Sequence, residues 1–220
     1  MKKLLTQVTI VCIFLTITSC KVEEIINELG NSKITAKEKL SEVISRARSD
    51  FSADAQLAAI YGLNVTTQGE IDLQSTENAF VYAVQSDVLQ NNEFYVPVFN
   101  GTPVKSPINF DTMLSFVKDT TAKNILSNAF GYLSNIHIDP ALTYDDSPEA
   151  LALLLSRNDV TTFRLDNPNY KIDMMLVPSK SIDTTFVNSA DWIVNFHSVN
   201  ASLVLWINST SGDIKNLSEL

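Results

Sequence analysis

The sequence predicts an α+β fold: two repeated helix-plus-antiparallel-meander units joined by a helical connector. Three observations carry that expectation. Runs with helical spacing stand ahead of runs rich in Val, Tyr, Phe and Trp that read as strands. The second half of the chain replays the first at a shift of 112 residues, with Val43 falling on Leu155 and Phe80 on Trp192. Between the copies lie residues 109–146, where helical spacing has no strand after it. The chain thus divides into a leader (1–19), a tether (20–35), a first repeat (36–108), a connector (109–146) and a second repeat (147–220).

In the leader, Lys2 and Lys3 precede an apolar run from Leu4 to Ile17, and Ile17-Thr18-Ser19-Cys20 sets a small residue directly before a cysteine. Charge, apolar run and small residue in that order make a secretory signal, too short for a settled transmembrane helix. The last four residues resemble the lipobox of bacterial lipoproteins. That resemblance implies that Cys20 is lipidated, becomes the first residue of the mature chain and anchors it in the bacterial envelope, at the outer membrane. Glu23-Glu24 in the tether resembles the surface-export signal of Bacteroidetes lipoproteins; a surface-facing and a periplasm-facing position both stay open.

Loss of the leader removes two lysines and moves the formal net charge from -9 to -11. So acidic a chain lacks the basic footprint that phosphate contacts need, and nucleic acid is not an expected partner. It is also repelled by anionic lipid surfaces, which leaves the membrane attachment to the acyl chains on Cys20. Cys12 departs with the leader, so no disulfide is expected and an apolar core must supply stability.

The elements follow in order. Thr35 and Glu38 have the spacing of a capping box, and Leu40, Val43, Ile44 and Ala47 predict a helix over about 36–49. Leu57, Ala59, Tyr61, Leu63 and Val65 alternate as a strand, and Gly62 is poor in a helix interior. Ala79–Ser86 and Glu93–Phe99 read as strands around the loop Gln90-Asn91-Asn92, and Asn100-Gly101 is a turn. Phe110, Met113, Leu114 and Val117 share one helical face; Ile125, Leu126, Ala129, Phe130 and Leu133 share another.

The second repeat opens at Ser147-Pro148-Glu149, a capping residue followed by proline at the first turn, with Ala150, Leu151, Leu154 and Leu155 as the buried face. Tyr170, Ile172, Met174 and Leu176 alternate along one strand, Trp192, Val194 and Phe196 along the next, and Leu203, Leu205 and Ile207 along the last. Ser209–Asp213 is the closing turn. A helix laid across one face of each meander buries that face and leaves the other open.

Asp54-x-x-Leu57-x-x-Ile60-x-Gly62-x-x-Val65, Gly69 and Phe80–Ser86 resemble PepSY-like domains, as do Trp192–Phe196 and the ending Ile207-Asn208-x-x-x-Gly212-Asp213-Ile214. The resemblance covers residues 36–101 and 147–214 and leaves the central helices aside. It implies a non-catalytic envelope module, in some relatives an inhibitor or assembly partner of peptidases.

Chemistry is sparse. His137 and His197 are the two histidines, and neither stands in a nucleophile motif. His197 should alternate outward as a surface strand residue. His137, with Asp139 nearby, supports an alternative reading as an envelope hydrolase. Neither zinc nor another cofactor is expected: ligand spacing is missing, and so is any glycine-rich phosphate loop. Asp139, Asp145 and Asp146 read as a solvated acidic loop rather than a calcium site. Asp54 and Asp166 fall on one another at the repeat shift and read as turn or cap residues. Asp111-Thr112-Met113 and Asp183-Thr184-Thr185 resemble short O-glycosylation acceptors.

At a shift of 111, Tyr95 falls on Trp206. Both are out of phase with apolar neighbours, so both should face out of the sheet and anchor a peptide or envelope-protein partner. The favoured expectation is therefore a lipid-anchored binding module without catalysis of its own. The anchor is directly testable. Cys20→Ala should abolish acyl labelling and shift the protein from the membrane fraction to a soluble or uncleaved form; unchanged labelling and partitioning would refute it.

Overall fold

Near-continuous apolar runs, from Leu57 to Tyr61, Phe80 to Val84, Met174 to Val177 and Leu203 to Ile207, need cover on both faces of a sheet. The computed structural model provides it. It describes residues 32–107, 109–115, 117, 120, 123–124, 126–128, 136–179, 189–208 and 211–217. The chain divides into Met1–Ser32 and Lys33–Leu220, and the fold is that of the second unit.

In chain order the elements are β1 (Lys33–Ile34), α1 (Leu40–Asp50), β2 (Gln56–Leu63), β3 (Ile71–Asp72), β4 (Ala79–Ser86), β5 (Asn91–Val98) and β6 (Gly101–Lys105). Then come α2 (Phe110–Ser115), α3 (Ser147–Leu155), α4 (Asn158–Asp166), β7 (Lys171–Pro178), β8 (Ala190–His197), β9 (Ser202–Ile207) and β10 (Ile214–Asn216). The fold is α+β, with an 8-stranded antiparallel sheet in the order β10-β9-β8-β7-β2-β4-β5-β6; β1 and β3 pair separately. One half of the sheet is the meander β2-β4-β5-β6, the other β7-β8-β9-β10. They meet where β2 pairs with β7, Tyr61 opposite Met175 and Gly62 opposite Met174.

On one face Val43 and Ala47 of α1, Leu151 and Leu154 of α3 and Val160 of α4 pack on Ile60, Tyr82, Trp192 and Leu205. The opposite face is not open. Met113, Val117 and Leu126 cover Tyr61, Val81, Met175 and Ile193, and Phe110 meets Phe94 edge-on at 4.9 Å. The expectation of one bare sheet face is thereby corrected.

Several boundaries shift for local reasons. α1 starts at Leu40 after a turn. Glu38 does accept from the Thr35 N–H at 2.9 Å, but the Thr35 hydroxyl donates to Asp146 at 2.6 Å instead of capping its own helix. Register slips between Leu57 and Ala59 on β4, so Leu57 and Ile60 face the helices while Ala58, Ala59 and Tyr61 face away. Five elements were not anticipated: the two-residue strands β1 and β3, the short edge strands β6 and β10, and α4, whose apolar residues are too few for a clear period. Residues 136–146 of the expected helical connector carry no helix. Ile125, Ala129, Phe130 and Leu133 lie outside the described residues.

The start of α3 ties distant segments together. Asp146 caps α3 through the Ser147 N–H and also accepts from the Lys37 N–H at 3.1 Å. The Ser147 hydroxyl accepts from Ala36 N–H at 3.0 Å and donates to the Gly69 carbonyl at 2.6 Å. Gly69 has φ +76°, and a Cβ there would lie 2.5 Å from the Pro148 nitrogen, so only glycine permits this approach.

Tyr95 and Trp206 are buried, 0% and 4% exposed, and the expectation that both are surface anchors is overturned. Val194, 112 residues after Tyr82, lies opposite Leu205, whereas Tyr82 lies opposite Tyr95. The hairpins are thus offset by two residues instead of one. A one-residue error in register turns a side chain to the other face. Tyr95 points under the helices. Trp206 points to the opposite face, where its indole N–H donates to buried Asp191 at 2.9 Å. Trp206→Ala should therefore lower stability by about 3–5 kcal/mol in urea titration; an unchanged midpoint would contradict the core assignment.

Candidate functional site

His137 lies half-buried in the irregular segment after α2, with Nδ1 3.9 Å from the exposed Asp87 carboxylate, beyond hydrogen-bond distance. The acids grouped with it hold backbone. Asp139 accepts from the Ala141 N–H at 2.9 Å, and Asp146 caps α3. Asp145 is exposed, and its carbonyl accepts from the Trp192 indole at 2.9 Å. Among the described residues no group of three or more His, Cys, Asp or Glu could hold a metal ion.

His197 does alternate away from Trp192, Val194 and Phe196, but that side is the second covered face, so its side chain is only 13% exposed and not a surface residue. Its Nε2 lies 3.1 Å from Asp173, a buried carboxylate that also accepts from the Tyr61 hydroxyl at 3.1 Å and the Asn64 N–H at 2.9 Å. Burial, then the Asp173 charge, push the Tyr61 hydroxyl well above the ordinary phenol range. Across the strand pair from Asp173 stands Asn195, whose buried amide has no hydrogen-bond partner. Ser202 is opposite His197, yet none of the described hydrogen bonds joins them. This polar cluster was not anticipated. The apolar run on both sides of Asp173 was the available signal that its carboxylate would be buried.

Asp54 is a turn residue, as expected. It accepts from Ser52, from the Ser86 hydroxyl at 2.8 Å and from the Val88 N–H at 3.0 Å. Asp166 does not occupy the matching place. Asn167 does, accepting from the Ser198 hydroxyl at 2.8 Å. Each serine also receives an N–H from three residues ahead, Leu89 at 3.0 Å and Ala201 at 3.2 Å. Thr112 is exposed on α2, and its hydroxyl donates to Asn109 at 3.0 Å; residues 183–185 lie outside the described set.

The β6 edge of the sheet is ill suited to strand addition. Ser106 N–H donates to the Phe94 carbonyl at 2.7 Å, which turns the main-chain groups of Lys105 and Pro103 outward. Pro103 has no N–H to offer, and a charged lysine beside it blunts the edge further.

A groove of about 320 Å³ lies between α1 and residues 138–144. Leu40 and Ile44 of α1, Leu57 of β2, and Ile138 and Leu142 form an aliphatic floor. The Ile138 N–H donates to the Leu57 carbonyl at 2.7 Å and pins the far wall. Lys37 and Arg48 stand on the rim. Lys37 donates to the Tyr144 carbonyl and lies 4.1 Å from the ring centroid, while Arg48 Nε donates to the Ala55 carbonyl at 3.2 Å. Burial, then the charge of Asp146, push the Tyr144 hydroxyl up to about 12. A volume of this order suits one small ligand or one or two anchoring side chains.

No protein-family model matches the chain, and neither a curated protein nor a solved structure matches it. Among the described residues no helix is long and apolar enough to cross a membrane.

The Asp54 network sets an acid limit. The Ser52 hydroxyl, then the Val88 N–H and the Ser86 hydroxyl, lower its carboxyl from 3.8 to about 2. The native state therefore binds the proton less readily than the unfolded chain. The stabilisation is fully present above about pH 4 and is lost as the pH falls through about 2. Asp54→Asn should flatten the decline of the urea midpoint in that window; an unaltered slope would show that the network carries no linkage.

Proposed function

We propose that this chain is a lipid-anchored protein of the bacterial envelope, held at the outer membrane through Cys20, that acts by binding and has no chemistry of its own. The observation that carries the binding reading is the groove under α1, partly open to solvent, lined by aliphatic side chains and flanked by Lys37 and Arg48. Its ligand is a peptide, an envelope protein or a small molecule of the envelope. The groove replaces Tyr95 and Trp206 as the site, because both of those rings are core.

The architecture reads as a duplication of a PepSY-like helix-plus-meander unit. The paired bonds of Ser86 with Asp54 and of Ser198 with Asn167 support this, as do the two meanders meeting at their first strands. Tyr61 and Asp173, which hydrogen-bond across that junction, stand one repeat shift apart. A duplicated chain joined through equivalent strands brings such positions together at its local symmetry axis.

The test uses intact envelopes. A photo-crosslinking residue at Gln56 in the groove should give a discrete light-dependent adduct, while the same residue at exposed Thr162 on α4 gives none. Ile44→Trp, which fills the groove, should abolish the adduct. Equal labelling at both positions, or an adduct indifferent to Ile44→Trp, would refute the groove as the binding site.

A further inference from the structure

We infer that the groove binds an amphiphilic anion, specifically an aliphatic carboxylate whose tail lies along α1 on the floor of Leu40, Ile44, Leu57 and Ile138 and whose carboxylate is held by Arg48. This rests on the reading of the groove as the ligand seat. It adds the chemistry of the ligand.

The argument starts from charge. The protein is strongly acidic, and cations on α1 and the turn before it find carboxylates nearby: Lys39 meets Glu42 at 2.6 Å, and Arg46 meets Asp50 at 2.7 Å. Lys37 and Arg48 differ. Among the described residues no carboxylate lies within ion-pair distance of either, and these are the two cations on the groove rim. Asp139, the acid that also lines the groove, has one oxygen engaged by the Ala141 N–H.

Donor capacity points to Arg48 as the head-group site. An arginine has five N–H donors in a fixed fork, and among the described residues only its Nε is engaged, by the Ala55 carbonyl. That bond orients the guanidinium and leaves its terminal nitrogens for a bidentate carboxylate. Arg48 is exposed, so the anion stays at the solvent edge. Lys37 is already held by the carbonyl and ring of Tyr144 and closes the other end.

The floor fixes the rest of the ligand. Leu40 and Arg48 are eight residues apart on α1, about 12 Å along its axis. Aliphatic side chains line that length, which suits a flexible hydrocarbon chain.

The test is titration of the full lipidated chain in lipid nanodiscs with decanoate, decan-1-ol and butyrate, read by intrinsic-fluorescence melting. Decanoate should raise the melting temperature saturably and bind about tenfold more tightly than decan-1-ol, with butyrate weaker than both. Arg48→Gln should weaken decanoate about tenfold and leave decan-1-ol unchanged, a readout that general destabilisation would not give. Ile44→Trp should abolish the shift with both ten-carbon ligands, whereas Thr162→Trp should not, which separates the groove from partitioning into the nanodisc lipid. Decan-1-ol binding as well as decanoate would overturn the carboxylate assignment and leave the groove reading standing. No saturable shift sensitive to Ile44→Trp with any of the three would overturn the amphiphile proposal, and the adduct at Gln56 then decides separately whether the groove is a seat.

Discussion

The pairing of β2 with β7 is the constraint on which the other elements depend. Each four-stranded meander could bury only part of its apolar surface alone; joined at these strands they make one sheet whose middle is covered on both sides. Beyond the paired residues the junction is extended by one more bond, the Val65 N–H donating to the Ile172 carbonyl at 2.7 Å. The helices also need this junction, because the start of α3 is held by residues 35–37 and Gly69, both from the other half of the chain.

Covering both faces obliges the fold to bury polar groups. Asp173 is 3% exposed and is held there by two donors, the Tyr61 hydroxyl of β2 and the Asn64 N–H of the turn after it, with the His197 imidazole of β8 at 3.1 Å. Asp191 is satisfied in part by the Trp206 indole. Among the described residues Asn195 is not satisfied: its amide is buried and unpartnered between Asp173 and Val204, and the buried Tyr95 hydroxyl is unpartnered as well. In an apolar layer such groups rigidify the core where they are satisfied and cost stability where they are not.

The groove arises where these constraints relax. α1 lies across β4, β5 and β6, and its Leu40–Ile44 side faces the start of β2 across the groove. The irregular segment 138–144 closes that side with one backbone bond to β2 and a cation-aromatic contact at Tyr144. A cavity walled by a loop on one side and a helix on the other keeps apolar surface within reach of ligand, while the sheet faces are filled with the protein's own side chains.

The sequence by itself determined the α+β class, the central strands and helices α1 and α3, because local periodicity and capping residues act over a few positions. Ala79–Ser86 and Ser147–Leu155 fall where their patterns put them, and β2 keeps its extent but not its expected alternation, because the bulge after Leu57 turns Ala59 and Tyr61 to the other face. Only the tertiary structure decided the rest. Which face Tyr95 and Trp206 occupy depends on hairpin register, and a two-residue offset cannot be read from alternation that looks the same on either strand. Whether His197 meets solvent depends on contacts across the sheet, with Asp173 of β7 3.1 Å from its Nε2, and on a second face whose apolar part is covered from Met113, Val117 and Leu126, distant in the chain. The groove depends on how α1 crosses the sheet and where residues 138–144 return, contacts of long sequence separation that no local pattern encodes.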